Sequence, residues 1–409
     1  MVVAVWLVVL MIQSACGSSE PPDPVVKHVS MQLTDSSPAF GLNLLDRLLA
    51  EPGVDNVFVS PLSATLMLSM AASAAEGQDR GAMLTTLGLD PNVDPSAQAR
   101  RTIERLVQTD PDTQLELAQA VWTQQGQRMD PAYAARLRSD YHAEVANLDF
   151  TSSDAPSVVN RWVDTATHHK ITGLVDSFDS SVVAFLVNAT YFHALWRIQF
   201  DTHGVGGFHT FTGSTAQVPM MQRTGNVTVL TTPEYSAAQL PYKGGRFGAL
   251  LLLPRSSLTP AAFADFLTLE RWQQAIRYLH LATGPSLGGS CVPLDAAPAP
   301  DVGIDCEGTL VMPKFTLDYK KDLTKTLGAM GMPVPGAVMS GLCQCFLSDV
   351  VQKTYLQVDE TGTTAVVASG GVGATSAPIP MVVDHPFAFA IIDNATDAPL
   401  FVGAIGDLP

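Results

Sequence analysis

Apolar positions along the chain alternate between helical and strand periods, with one long stretch that fits neither. Phe40 to Leu49 is apolar at helical spacing and predicts a helix. Val57 to Val59 predicts a short strand. Ser60 then suits an N-cap and Pro61 the first helical position, where a missing N–H goes unnoticed. Pro61 to Ala75 carries no charge, so that helix is expected buried all round, with Gly77 as its stop. Gln114 to Trp122 reads as a strand and residues 155–175 as a helix. Val182 to Phe192 is apolar throughout except near Asn188, the pattern of a central strand covered on both faces. A buried Asn there must be hydrogen-bonded.

Five short strands are expected next: Phe208 to Phe211, Val218 to Met221, Val227 to Leu230, Ala238 to Leu240 and Gly248 to Leu253. Residues 258–282 read as helical and 283–306 as a Gly/Pro/Ser-rich insertion. Thr309 to Leu317 is one further strand, and Leu323 to Met330 a helix stopped by Gly331. Phe387 to Ile392 and Leu400 to Ala404 close the chain as strands, with Asp393 and Asn394 opening the turn between them. Many strands with segregated helices give an α+β class.

The anomaly runs from Asp359 to Pro386. After Asp359 and Glu360, nothing from Thr361 to Val383 is charged. Thr363 to Ser369 is small and β-branched, hence competent as a strand. Gly370, Gly371, Gly373, Pro378 and Pro380 make the remainder an exposed loop. An uncharged strand-competent segment without a partner is an aggregation hazard. We read it as a strand held out of a sheet.

Composition narrows the partners. The 409 residues are 46% hydrophobic with a net charge of -16, which disfavours nucleic acid, heparin-like polyanions and anionic membranes. Residues 2–11 form an apolar run too short to span a bilayer. Residues 1–16 resemble a lipoprotein signal, with Cys16 as the lipidated residue, and 17–34 read as a polar linker. Plain secretion with cleavage nearby is the alternative, so the chain is expected exported in either case. Cys291, Cys306, Cys343 and Cys345 remain, an even number that suggests disulfides. Cys291 and Cys306 bracket one proline-rich loop and are the favoured pair; the bonding of Cys343 and Cys345 stays open. His168, His169, His193, His203 and His209 have no ligand spacing, so no metal and no cofactor is expected.

Six motifs in order resemble the serpin family of serine protease inhibitors: Asn56 to Ser63, Phe185 to Trp196, Val311 to Phe315, Val358 to Thr363, Asp384 to Ile391 and Pro399 to Gly403. The resemblance spans about residues 35–407. It implies one domain over 35–409, with a large, mostly antiparallel central sheet, two further sheets, eight or nine helices and an exposed reactive-centre loop at 360–385. It also implies a monomeric suicide-substrate inhibitor rather than an enzyme. A protease acylated by the loop is trapped when the loop's first half enters the central sheet, a recognised instance of strand addition and released strain.

Under that resemblance Glu360, Gly362, Thr363, Ala365 and Val367 form the hinge. Ser60, Ser63, Asn188 and Gln352 form the polar shutter beneath the sheet, with Gln352 where the family often has His. Trp196 takes the breach position. Taken alone, these residues are a helix cap, a satisfied Asn and a core Trp. Thr363, Ala365, Val367 and Ser369 share one face of an inserted strand, and none is charged. Val366 and Val367 are bulkier than the family's usual small residues and raise β-propensity. Roughly 12 inserted residues at about 1 kcal/mol per backbone hydrogen bond yield on the order of 10 kcal/mol.

Seventeen residues counted from Glu360 place the scissile bond at Ser376–Ala377; counting back from Pro386 gives Thr375–Ser376. Either suits elastase- or subtilisin-like proteases and not trypsin-like ones. The pattern Gly284-Pro285-Ser286-Leu287-Gly288 mimics a nucleophile elbow, but it follows a helix rather than a strand. A non-inhibitory serpin, acting as a binding or structural protein, is the competing reading, and Thr363-Thr364-Ala365 speaks for inhibition.

Overall fold

The computed structural model describes residues 33–107, 113–283, 301–343, 345–347, 349–362 and 380–408. Helix α1 (Leu33–Leu49) precedes strand β1 (Asn56–Val59), which runs into α2 (Pro61–Ala72). Ser60 Oγ accepts the Ser63 N–H at 3.3 Å, so the predicted cap is made. Every residue of α2 is buried, as an uncharged helix requires. That helix stops short of Ala75. Gly77, expected to end it, takes φ +54 and instead starts α3 (Gly77–Thr86).

Next come α4 (Pro95–Val107), β2 (Thr113–Gln124), α5 (Pro131–Asp140), β3 (Glu144–Leu148) and α6 (Ala155–Ala166). The helix expected over 155–175 therefore ends early. His168 and His169 both adopt left-handed φ, 50 and 62, which no α-helix can contain. After β4 (Ala184–Ala194), the five predicted strands appear as β5 (Asp201–His209), β6 (Thr215–Thr224), β7 (Thr228–Thr231), β8 (Tyr235–Pro241) and β9 (Phe247–Pro254).

The stretch expected to be helical over 258–282 is so, as two helices, α7 (Pro260–Phe266) and α8 (Leu269–Thr283). Leu267 leaves helical geometry with ψ 67, and Thr268 Oγ1 accepts the Arg271 N–H to restart the helix. A short β10 (Gly303–Asp305) precedes β11 (Thr309–Pro313) and β12 (Phe315–Asp322). The strand expected from Thr309 to Leu317 is thus divided at Lys314, and its halves belong to different sheets. The chain ends with α9 (Thr324–Ala329), the hairpin of β13 (Val338–Met339) and β14 (Cys345–Phe346), then β15 (Val351–Val358), β16 (Met381–Val382), β17 (Phe387–Asp393) and β18 (Ala398–Ile405).

Nine helices stand among the described residues, and the strands are mostly antiparallel, an α+β architecture as expected. One sheet has seven strands in the order β1-β18-β17-β9-β8-β7-β10, and another has β16-β11-β6-β5. All eight residues of β9 and of β18 are buried, which puts the main core at the seven-stranded sheet. Two further groups, β3-β2-β4 and β15-β12, lie side by side as halves of the large central sheet.

Strand β4 stands in the middle of that large sheet, as expected, with β2 on one side and β15 on the other. Among the described residues its ladder runs to β2 alone, however, and several of its residues are only half-buried rather than fully covered. Its other edge faces β15, and the two halves join at one end, where Leu195 bridges to Gly362. Cys343 forms a disulfide with Cys345, the first residue of β14. Cys306 is also disulfide-bonded, while Cys291 lies outside the described residues.

Candidate functional site

Two polar clusters hold the halves of the central sheet together, one at the end where Asp359 to Gly362 leaves β15 and one beneath the middle. At the first, Trp196 is buried and does three things. Its N–H donates to Thr361 O at 2.9 Å, its indole Nε1–H donates to Asp359 O at 2.8 Å, and its ring stacks on Tyr242 at 4.5 Å. Phe200 packs edge-on against it and donates its N–H to Glu360 O at 2.8 Å. The backbone that precedes the uncharged loop is therefore pinned residue by residue to the end of β4.

Glu360 is tied down as well. Lys314 Nζ lies 2.9 Å from its Oε1, and Thr202 Oγ1–H donates to the same oxygen at 2.7 Å. Partial burial opposes ionisation, but the hydrogen bonds from Lys314 and Thr202 outweigh it and hold the carboxyl below its usual range. Lys314 is the residue at which the β11–β12 run changes sheets, so the switch delivers a cation to the hinge. Asp359 closes the turn, its Oδ1 accepting the Thr361 N–H at 2.9 Å and the Thr361 hydroxyl at 2.6 Å.

Gly362 could be no other residue. Its φ is +124, and a Cβ there would lie 2.5 Å from both Ala194 O and Trp196 N. Gly362→Ala is expected to cost at least about 2 kcal/mol in backbone strain and to lower the melting temperature by at least about 2 °C. Differential scanning calorimetry checks this; an unchanged melting temperature would mean that the tight turn is not rigidly held.

The second cluster joins α2, β4 and β15. Gln352 spans both backbone groups of Ser60: Ser60 N–H donates to Gln352 Oε1 and Gln352 Nε2–H donates to Ser60 O, each at 3.0 Å. Ser60 Oγ–H donates to Leu400 O at 2.6 Å, and Ser63 Oγ–H donates to Asn188 Oδ1. Thr190 Oγ1–H also reaches Asn188 Oδ1, at 3.0 Å, whereas the buried Asn188 Nδ2 has no acceptor among the described residues. Gln donates and accepts from one planar amide, so it satisfies both backbone groups of Ser60 at once.

Between these clusters β4 and β15 share no ladder, and a cavity of about 260 Å³ opens at the far end. Phe178, Val182, Phe185, Lys320, Leu347 and Val351 contribute to its lining. The arrangement is two half-sheets bolted at one end by Trp196 and Gly362, joined under the middle by side chains, and, among the described residues, unpaired along the edge.

Glu360, Gly362, Ser60, Ser63, Asn188, Gln352 and Trp196 all fall in these clusters. Thr363, Ala365, Val367, Thr375, Ser376, Ala377, Cys16 and Cys291 lie outside the described residues. Lys314, Thr202, Tyr242 and Phe200 were missed. Lys314 was seen only as part of a strand-like apolar run and of the family motif Val311 to Phe315, without a role; the other three had no signal. Among the described residues no group of His, Cys, Asp and Glu could hold a metal ion, and no helix is long and apolar enough to cross a membrane.

A family model described as "Serpin (serine protease inhibitor)" matches residues 35–286 and 302–408. Among curated relatives, Iripin-3 from Ixodes ricinus is 28% identical over 92% of this chain and 95% of its own length. The crystal structure of the thermophilic serpin tengpin in its native state superposes with a TM-score of 0.76 at 22% identity, over 92% of this chain and 94% of that one. Human thyroxine-binding globulin superposes with a TM-score of 0.78 at 23% identity, over 92% and 98%.

Proposed function

This chain belongs to the serpin family, and from that premise we propose that it is a suicide-substrate inhibitor of serine proteases with elastase- or subtilisin-like preference. The observation that carries the reading is the edge between β4 and β15, which is unpaired among the described residues. It begins where the uncharged, strand-competent Thr363 to Ser369 leaves Gly362. A strand entering there would bury no ion, which would otherwise cost several kcal/mol.

In this reading Glu360, Gly362, Thr363, Ala365 and Val367 are the hinge, Ser60, Ser63, Asn188 and Gln352 the shutter, and Trp196 the breach. The protease acylates at Ser376–Ala377 or Thr375–Ser376. Insertion then carries it across the sheet before water releases it. The protein acts as an exported monomer, either lipid-anchored at Cys16 or freely secreted, and its net charge of -16 argues against heparin-like polyanions.

A second reading, a carrier or structural serpin, has the likeness to thyroxine-binding globulin in its favour. The uncharged Thr363-Thr364-Ala365 weighs against it, because a non-inserting loop needs no such restriction. Incubation with a panel of elastases and subtilisins separates the two. The inhibitory reading expects a covalent complex that survives SDS. Clipped chain and fully active enzyme across the whole panel would leave the carrier reading standing.

A further inference from the structure

The family match stops at residue 286 and resumes at 302. Directly after that interruption β10 adds to β7 as the outermost strand of the seven-stranded sheet. It forms part of the wall of a cavity of about 370 Å³, to which Pro380 and Met381, the first described residues past the loop, also contribute. Val229, Ser236 and Met381 present buried surface there, and Thr231 is exposed.

Arg255 and Asp305 supply charges of both signs, but each is already engaged. The Arg255 guanidinium donates to Thr232 O, with Nε at 2.8 Å, and Asp305 Oδ1 accepts the Glu307 N–H at 2.9 Å. What remains open is the apolar wall, led by the half-buried Ile304 with the buried Val229 and Met381 behind it. An apolar recess with a satisfied polar rim is the form that receives an anchoring side chain at a protein interface.

Position says whose side chain. Four residue steps separate Ser376 from Pro380, a reach of at most about 14 Å. A standard interface covers about 800 Å² on each partner, a disc about 30 Å across. A protease centred on the scissile bond therefore overlies this cavity on its leaving-group side. The small residue at that bond discriminates weakly among proteases, so selectivity has to arise elsewhere.

We propose that this cavity is a docking site for the attacking serine protease, receiving an apolar side chain from the rim of the protease cleft on the leaving-group side. The inference rests on the loop being a protease target. It makes β10 a specificity element at the point where the family match resumes after its gap.

The test uses the full chain, a subtilisin and an elastase. Thr231→Trp fills the cavity from an exposed position, and Ile304→Asp charges its wall. The readout is the second-order rate at which intact chain disappears, counting covalent complex and clipped product together. Each variant is expected to react about tenfold more slowly with at least one of the two proteases, with the ratio of complex to clipped chain unchanged. Unchanged rates with both proteases overturn the docking site. A lowered melting temperature for Thr231→Trp at an unchanged rate also overturns it, since the chain's own residues would then fill the cavity. Because the rate counts clipped product too, it reads docking even if no complex forms, whereas absence of complex from the wild-type chain counts against inhibition instead.

Discussion

Thr363→Arg is expected to abolish the covalent complex proposed for this chain and to leave the loop as cleavable as before. Gly362 is the last described residue before the loop and sits against the end of β4, so Thr363 is the first that must enter the open edge. On the alternation of a strand, Thr363 shares the core-facing side with Ala365, Val367 and Ser369. An arginine there brings an unpaired guanidinium under the sheet, at a cost of several kcal/mol. Each 1.4 kcal/mol added to the insertion barrier slows it about tenfold. A cost of about 3 kcal/mol therefore slows insertion roughly a hundredfold, while hydrolysis of the acyl-enzyme proceeds at its own rate.

Water then wins, and the inhibitor becomes a substrate. Thr364→Arg places the same charge on the opposite face and is expected to trap better than Thr363→Arg. Stoichiometry of inhibition, measured for both variants and the wild-type chain, checks the pair. Equal trapping by Thr363→Arg and wild type would count directly against insertion.

Where local chemistry fixes structure, the sequence was legible. Ser60 and Pro61 start α2 because a hydroxyl acceptor and a missing N–H suit a helix start wherever it lies. Asn188 had to be hydrogen-bonded, and its Oδ1 takes donors from Ser63 and Thr190. The order of six short motifs gave the fold class. None of that required knowing which strands would be neighbours.

What failed to show was long-range. Thr309 to Leu317 has an unbroken strand pattern, and nothing local marks Lys314 as the joint between two sheets; its N–H donates to Pro219 O, well away in sequence. Val182 to Phe192 looks fully covered because its residues are apolar, yet apolarity cannot tell an occupied edge from one awaiting a strand. The end of α6 carries no glycine or proline: His168 and His169 stop it by taking left-handed φ. Gly77 misled in the opposite direction, since its positive φ serves a helix start rather than a stop. The Cys343–Cys345 disulfide spans a single intervening residue, a spacing from which no pairing was drawn. The partners of Glu360 were the costliest omission. Lys314 and Thr202 come from two different strands, and only the fold brings them together.

The central claim is that the edge between β4 and β15 is filled by the loop once the loop is cut. About 12 new backbone hydrogen bonds at about 1 kcal/mol each yield on the order of 10 kcal/mol in favour of the cleaved form. Closing the edge also buries apolar surface along β4 that is now half-exposed. Together these predict a melting temperature raised by at least about 10 °C after a single cut in the loop. The most direct measurement is calorimetry of the intact chain beside the chain nicked between Gly370 and Pro378, with mass spectrometry locating the cut. A large upward shift is the predicted result. A nicked protein that melts at or below the temperature of the intact one would contradict the account, because its open edge would then have no strand to receive.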